Sequence, residues 1–163
     1  MKKTIFFVIC GLIIISLMSN MSYEQQTIVP MLKEWLKAKP FEGWLSQFEI
    51  PYWGTIISVE SRGYFYFVEF LVRKATHFFG YGFVAVIFYF FYSKMKWRFP
   101  AVFALFTIVV IASLDEYRQS MIPGRSGIVD DVVIDACGAL MLLGIVKLIQ
   151  FMKALYRKKA KQL

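Results

Sequence analysis

Ala75-Thr76-His77-Phe78-Phe79-Gly80-Tyr81-Gly82-Phe83-Val84-Ala85-Val86-Ile87-Phe88-Tyr89-Phe90-Phe91-Tyr92 is the stretch on which the fold of this chain turns. It holds no acid, lysine or arginine, and its imidazole, His77, is the only one in the protein. A run of this length approaches the ~20 residues that carry a helix across ~30 Å of hydrocarbon. Inside lipid the backbone must satisfy its own hydrogen bonds, so without barrel-type alternation the segment is a helix. Three further apolar stretches, Thr4–Met18, Phe99–Leu114 and Val132–Met152, read the same way.

Composition agrees. The 163 residues are 58% hydrophobic and 18% aromatic, and only 18% are charged, below the quarter or so usual in a soluble domain. The length is that of one domain. The expected architecture is therefore all-α: a polytopic membrane protein forming a single domain over 1–163. Four transmembrane helices are expected at about 4–20, 75–92, 99–116 and 130–152, with an extracytoplasmic connection containing an amphipathic helix between spans one and two. Residues 1–20 also have the basic start of a secretory signal, Lys2 and Lys3. No clear small-x-small site follows in Ile15–Asn20, so an uncleaved first helix is expected.

Charge orients the spans. The net charge of +8 does not point to nucleic acid, because the bases flank apolar segments. Lys2 and Lys3, then Lys94, Lys96 and Arg98, then the bases from Lys147 to Lys161, stand on one side with no acid among them. All 11 acids, from Glu24 to Glu69 and then Asp115, Glu116, Asp130, Asp131 and Asp135, fall on the other. Cytoplasmic N- and C-termini and an outward acidic side follow from the positive-inside rule.

The first outward connection carries apolar residues at helical spacing over Glu24–Lys39, with Pro30 near the start and Pro40 closing the run. It suits either the headgroup plane or the surface of the bundle. Tyr64–Phe70 is expected to be an interfacial helix running into span two. Cys10 and Cys137 lie in separate spans, far from metal-ligand spacing, and read as buried free thiols.

Ionisable groups are expensive in hydrocarbon, so their clustering at one end of a helical bundle marks a candidate site. Lys74, His77 and Tyr81 share a helix face at the start of span two. Asp115, Glu116 and Gln119 close span three, a Pro123-Gly124 turn carries Arg125, and Ser126 stands as N-cap to span four. Asp131, Asp135 and Gly138 lie on one stripe of that span. Asp135, two turns in, costs about 2.5–3.5 kcal/mol as a carboxylate and needs a partner; His77, Lys74 and Arg125 are the groups expected within reach.

Arg73-Lys74-x-x-His77-Phe78-x-x-Tyr81, then Asp115-Glu116-x-x-Gln119, Pro123-Gly124-Arg125 and Asp131-Val132-x-x-Asp135-x-x-Gly138 together resemble the VanZ-like family of bacterial membrane proteins. The resemblance covers about residues 70–145, with Gly80 where relatives are often acidic and Asp135 where many carry Asn. It implies a role at the outer face of the cytoplasmic membrane, linked through the family's namesake to glycopeptide (teicoplanin-type) resistance. It supplies no reaction.

Three readings of the cluster stand. In the first, an outward-facing polar site binds or acts on a cell-envelope component, such as a lipid-linked cell-wall precursor or a glycopeptide, alongside membrane lipids. Its ligand-binding groups are Arg73, Lys74, Tyr81, Gln119, Arg125, Asp131 and Asp135. In the second, His77 with Asp115 and Glu116 forms a catalytic acid–base set, or a set that holds a divalent metal. In the third, the cluster only locks helix ends together. No motif names a cofactor, and no metal is assigned.

The charge asymmetry makes a direct prediction. Topology reporters fused at residue 46 should report outside and at residue 163 inside; a cytoplasmic signal at residue 46 would overturn the orientation.

Overall fold

The computed structural model describes residues 2–122 and 127–160. In chain order these form α1 (Lys2–Asn20), α2 (Tyr23–Gln26), α3 (Val29–Trp35), α4 (Glu42–Leu45), β1 (Ile50–Tyr52), β2 (Thr55–Ile57), α5 (Val59–Arg62), α6 (Tyr64–Lys94), α7 (Pro100–Gln119) and α8 (Val129–Ala160). Three of them, α6, α7 and α8, are long and apolar enough to cross a membrane. The fourth apolar segment, Thr4–Leu17 within α1, is shorter and packs against α6 and α7.

Alanines stand at the centre of the bundle beside larger buried side chains such as Tyr81, Phe88 and Tyr89, while many Phe and Leu side chains face outward. Ala85, Ala104, Ile108, Ala112 and Ala139 are fully buried at its centre, while Phe83, Phe106, Leu114, Leu140 and Leu148 are more than half exposed. Lipid solvates apolar side chains as well as a protein core does, so helices associate through close contact of small residues. The tightest contact joins α6 and α8, which run parallel. A Cβ on Gly138 would overlap the Phe78 carbonyl, and one on Gly82 would overlap the Leu142 side chain and the Gly138 carbonyl. The seam continues at the far end, where the Tyr89 hydroxyl donates to Gln150 Oε1 at 2.7 Å.

The acid-bearing ends of α6, α7 and α8 meet at one end of the bundle, with the C-terminal end of α1 beside them. There Arg118 of α7 donates to Ser16 Oγ (3.1 Å), the Ser16 carbonyl (2.9 Å) and Ser19 Oγ (3.2 Å) on α1. At the opposite end Lys94 donates to Thr4 Oγ1 at 2.6 Å.

Three expectations need correction. The helix expected over Glu24–Lys39 is two short helices, α2 and α3, separated at Thr27 and Ile28. Pro30 has no N–H to give to the residue four before it, which removes one rung of a continuous helix. Tyr64–Phe70 is helical and runs into span two as expected, the two forming one unbroken helix from Tyr64 to Lys94. The chain is not wholly α: β1 and β2 form an antiparallel hairpin with Tyr52 opposite Thr55. Its two turn residues, Trp53 (φ 50°) and Gly54 (φ 70°), are both left-handed, the geometry that matches strand twist in a two-residue loop. Finally, the cysteines are free, but Cys10 is half-buried and Cys137 exposed, since Cys137 precedes the seam residue Gly138 and turns away from α6. The Pro123-Gly124 turn, Arg125 and the Ser126 cap lie outside the described residues.

The glycine contacts give a paired test. Gly138→Ala forces the α6 and α8 backbones apart and should cost about 1–3 kcal/mol, read as a lower melting temperature in detergent. Gly80, where a Cβ meets nothing within 4 Å, should accept Ala without loss. Equal melting of the two variants would remove the seam from the argument.

Candidate functional site at the acidic end of the bundle

The α6–α8 seam decides what faces what. Because Gly138 lets the two helices touch, the α8 stripe Asp131, Asp135, Gly138 lies along the α6 residues Lys74, His77 and Phe78. Lys74 Nζ stands 2.5 Å from Asp131 Oδ1, and His77 Nδ1 stands 3.4 Å from Asp135 Oδ1. Asp135 is completely buried. His77 is its one ionisable neighbour within ion-pair distance among the described residues; of the expected partners Lys74 pairs with Asp131 instead, and Arg125 lies outside the described residues.

The polar residues divide into two sets. The first is a packed lock beneath the hairpin. Lys74 also donates to the Tyr52 hydroxyl at 2.5 Å, and Tyr52 donates in turn to Asp131 Oδ1 at 2.7 Å. The ammonium lies over the Tyr52 ring, 4.4 Å from its centroid, a favourable cation–π placement. Burial, with the Asp131 carboxylate beside it, pushes the Tyr52 phenol up from its ordinary range. Tyr52 therefore remains a hydrogen-bond donor at physiological pH. The Trp53 backbone N–H donates to Asp130 Oδ2 at 2.9 Å, which offsets the cost of a left-handed aromatic residue. Glu116, at the α7–α8 junction, accepts from the Ile128 N–H at 2.9 Å. A Cβ on Gly127 would overlap the Glu116 carbonyl, so the chain passes against α7 just before α8 begins.

The second set lines a cavity of about 570 Å³ between α1 and α6. Arg73, His77, Tyr81, Asp115 and Gln119 all contribute to its wall. Asp115 Oδ2 accepts from the Tyr81 hydroxyl (3.0 Å) and from Gln119 Nε2 (2.7 Å), and Arg118 Nη2 lies 3.6 Å from Asp115 Oδ1. Arg73 donates to Gln26 Oε1 at 3.0 Å and stands 3.7 Å from Glu69. Glu69 in turn accepts from the Ile28 N–H at 2.8 Å, which fastens the start of α3 to α6. The His77 and Tyr81 rings stack with centroids 5.9 Å apart.

Sequence spacing thus picked out residues that the fold does bring together at one end of the bundle, in two adjoining sets linked by the His77–Asp135 contact. Arg73, His77, Tyr81, Asp115 and Gln119 face the cavity; Lys74, Asp131 and Asp135 sit in the α6–α8 seam, and Glu116 at the helix junction. No group of three His, Cys, Asp or Glu side chains among the described residues is placed to hold a metal ion. Tyr52, Gln26 and Ser16 were missed. A Trp-Gly pair between Ile50-Pro51-Tyr52 and Thr55-Ile56-Ile57 is a hairpin signal, although Trp is a rare first turn residue and Pro51 argues against a strand.

One family model, described as VanZ/LLP1, matches residues 4–150, a range that takes in every residue of both sets. No curated protein and no solved structure matches the chain.

The lock predicts a double-mutant result. Lys74→Met leaves Asp131 buried without its cation and should cost about 3–5 kcal/mol. Adding Asp131→Leu should recover most of that loss, since an apolar pair of similar volume is often neutral. Thermal unfolding of the two single variants and the double in detergent measures the coupling; simple additivity would refute it.

Proposed function

The chain belongs to the VanZ/LLP1 family, and from that membership we propose that it is a cytoplasmic-membrane protein whose outward-facing polar site binds or acts on a cell-envelope component. In this reading α1 is a fourth span and both termini are cytoplasmic. The short helices between α1 and α6 then lie at the outer surface. The link to glycopeptide resistance rests on the family name and belongs to the same proposal.

The observation that carries the reading is the convergence on one cavity of Arg73, His77, Tyr81, Asp115 and Gln119, drawn from two helices at the acid-bearing end of the bundle. Tyr81, Asp115 and Gln119 are hydrogen-bonded to one another, yet with Arg73 and His77 they also border open space. A volume of this size is that of a pocket for a small ligand. Ionisable groups facing a cavity within a membrane protein are a functional site by default.

A specific arrangement favours a second reading, acid–base catalysis. His77 lines the cavity while its Nδ1 faces the buried Asp135. A carboxylate behind one ring nitrogen fixes the orientation of the imidazole and leaves the other nitrogen for a substrate.

The two readings separate at His77. In bacteria expressing the protein, we expect His77→Gln to retain part of any protection against teicoplanin, because glutamine keeps a hydrogen-bonding group at the wall. Complete loss with normal membrane insertion would assign the imidazole to acid–base work. Full protection would exclude His77 from the site.

A further inference from the structure

The cavity is not uniformly polar, and its asymmetry describes a ligand. Towards the acid-bearing end its wall is His77, Tyr81, Arg73 and the amides of Gln26 and Gln119; deeper along the helices it is Phe7, Cys10, Ile14, Phe83, Val84 and Ile87. The lining residues of α1 run from Phe7 to Ser19, roughly 18 Å of helix at 1.5 Å per residue. That is comparable to half of the ~30 Å hydrocarbon thickness, the depth that one leaflet's tails occupy.

Gly80 gives an independent indication. A glycine inside a helix costs about 1 kcal/mol relative to alanine, and most helix glycines in membrane bundles serve close packing. Gly82 and Gly138 do so here, whereas a Cβ on Gly80 or on Gly144 meets nothing within 4 Å, and of these two Gly80 lies in the cavity wall. Its missing side chain serves neither packing nor a turn. It leaves room.

The charges at the mouth are already matched. Arg73 stands beside Glu69, and Asp115 beside Arg118 with two further donors. A phosphate entering here would have to displace a carboxylate from its cation or lie against one. Hydroxyl groups can donate to carboxylates and accept from amides, imidazole and guanidinium without disturbing either pair.

We propose that the α1–α6 cavity seats the tail of a membrane lipid whose uncharged, hydroxyl-rich headgroup, such as a sugar attached directly to a diacylglycerol, rests against His77, Tyr81 and the Gln26 and Gln119 amides. The proposal rests on the outward site proposed above and names the class of molecule that site takes. It differs from binding of an anionic phospholipid, which the paired charges disfavour.

The test uses the full chain in detergent, incubated with monoglucosyl diacylglycerol or with phosphatidylglycerol and read by native mass spectrometry. Wild type should retain one glucosyl lipid about tenfold more tightly than phosphatidylglycerol, and Gly80→Leu, which fills the cavity, should lose about tenfold or more of that affinity. A second readout needs no bulky substitution. In a Cys137→Ser protein, glucosyl diacylglycerol should slow maleimide labelling of Cys10, which lies in the apolar wall, whereas phosphatidylglycerol should not. Equal retention of both lipids by wild type and Gly80→Leu would mean ordinary boundary lipid and overturn the proposal. So would a preference for phosphatidylglycerol, or unprotected Cys10. Should these fail while His77→Gln still lowers protection against teicoplanin, the outward site stands and the lipid assignment falls.

Discussion

The contact of the α6 and α8 backbones at Gly138 and Gly82 is the constraint from which the rest of this bundle follows. With no side chain at Gly138, the helix carrying Asp131 and Asp135 comes against the Phe78 carbonyl, and both carboxylates meet cationic or cation-forming partners on α6. A bundle in lipid gains nothing from hiding apolar surface that lipid would cover equally well. Close backbone approach and paired polar groups hold it instead, and here a single seam supplies the glycine contact and the Lys74–Asp131 pair.

That economy explains why many phenylalanines and leucines face outward while alanines share the centre with a few aromatic side chains. It also explains why the hairpin between α4 and α5 matters more than its six strand residues suggest. Tyr52 joins Lys74 and Asp131, Asp130 holds the strained turn at Trp53, and the long connection is thereby fastened onto the start of α8. Glu69 does the same for α3 through the Ile28 N–H.

What remains after these pairings is a space beside α1, bordered by the polar residues that the seam does not consume. Which groups face the seam and which face the cavity is a matter of helix rotation. Lys74 and His77 are three residues apart on one face, yet Lys74 is spent on an ion pair, whereas His77 touches Asp135 with one edge and the cavity with the other. Arg73, one position before Lys74, turns to the α1 side and reaches Gln26 instead.

The membrane class, the three long apolar helices and the gathering of acids at one end of the bundle were legible in the sequence, because hydropathy and charge act locally and leave their mark residue by residue. So was the need of Asp135 for a partner, since a buried carboxylate is costly wherever it lies. Which partner it has, and the parallel register of α6 and α8 that provides it, depend on where two segments some 60 residues apart come into contact; Gly138 permits that contact but does not spell it out. The hairpin escaped notice because its turn uses Trp53 in a left-handed conformation supported by Asp130, 77 residues away. The cavity has no sequence signature at all. It arises where α1 and α6 diverge and Gly80 lacks a side chain, and only the packing of the whole bundle decides that this gap stays open.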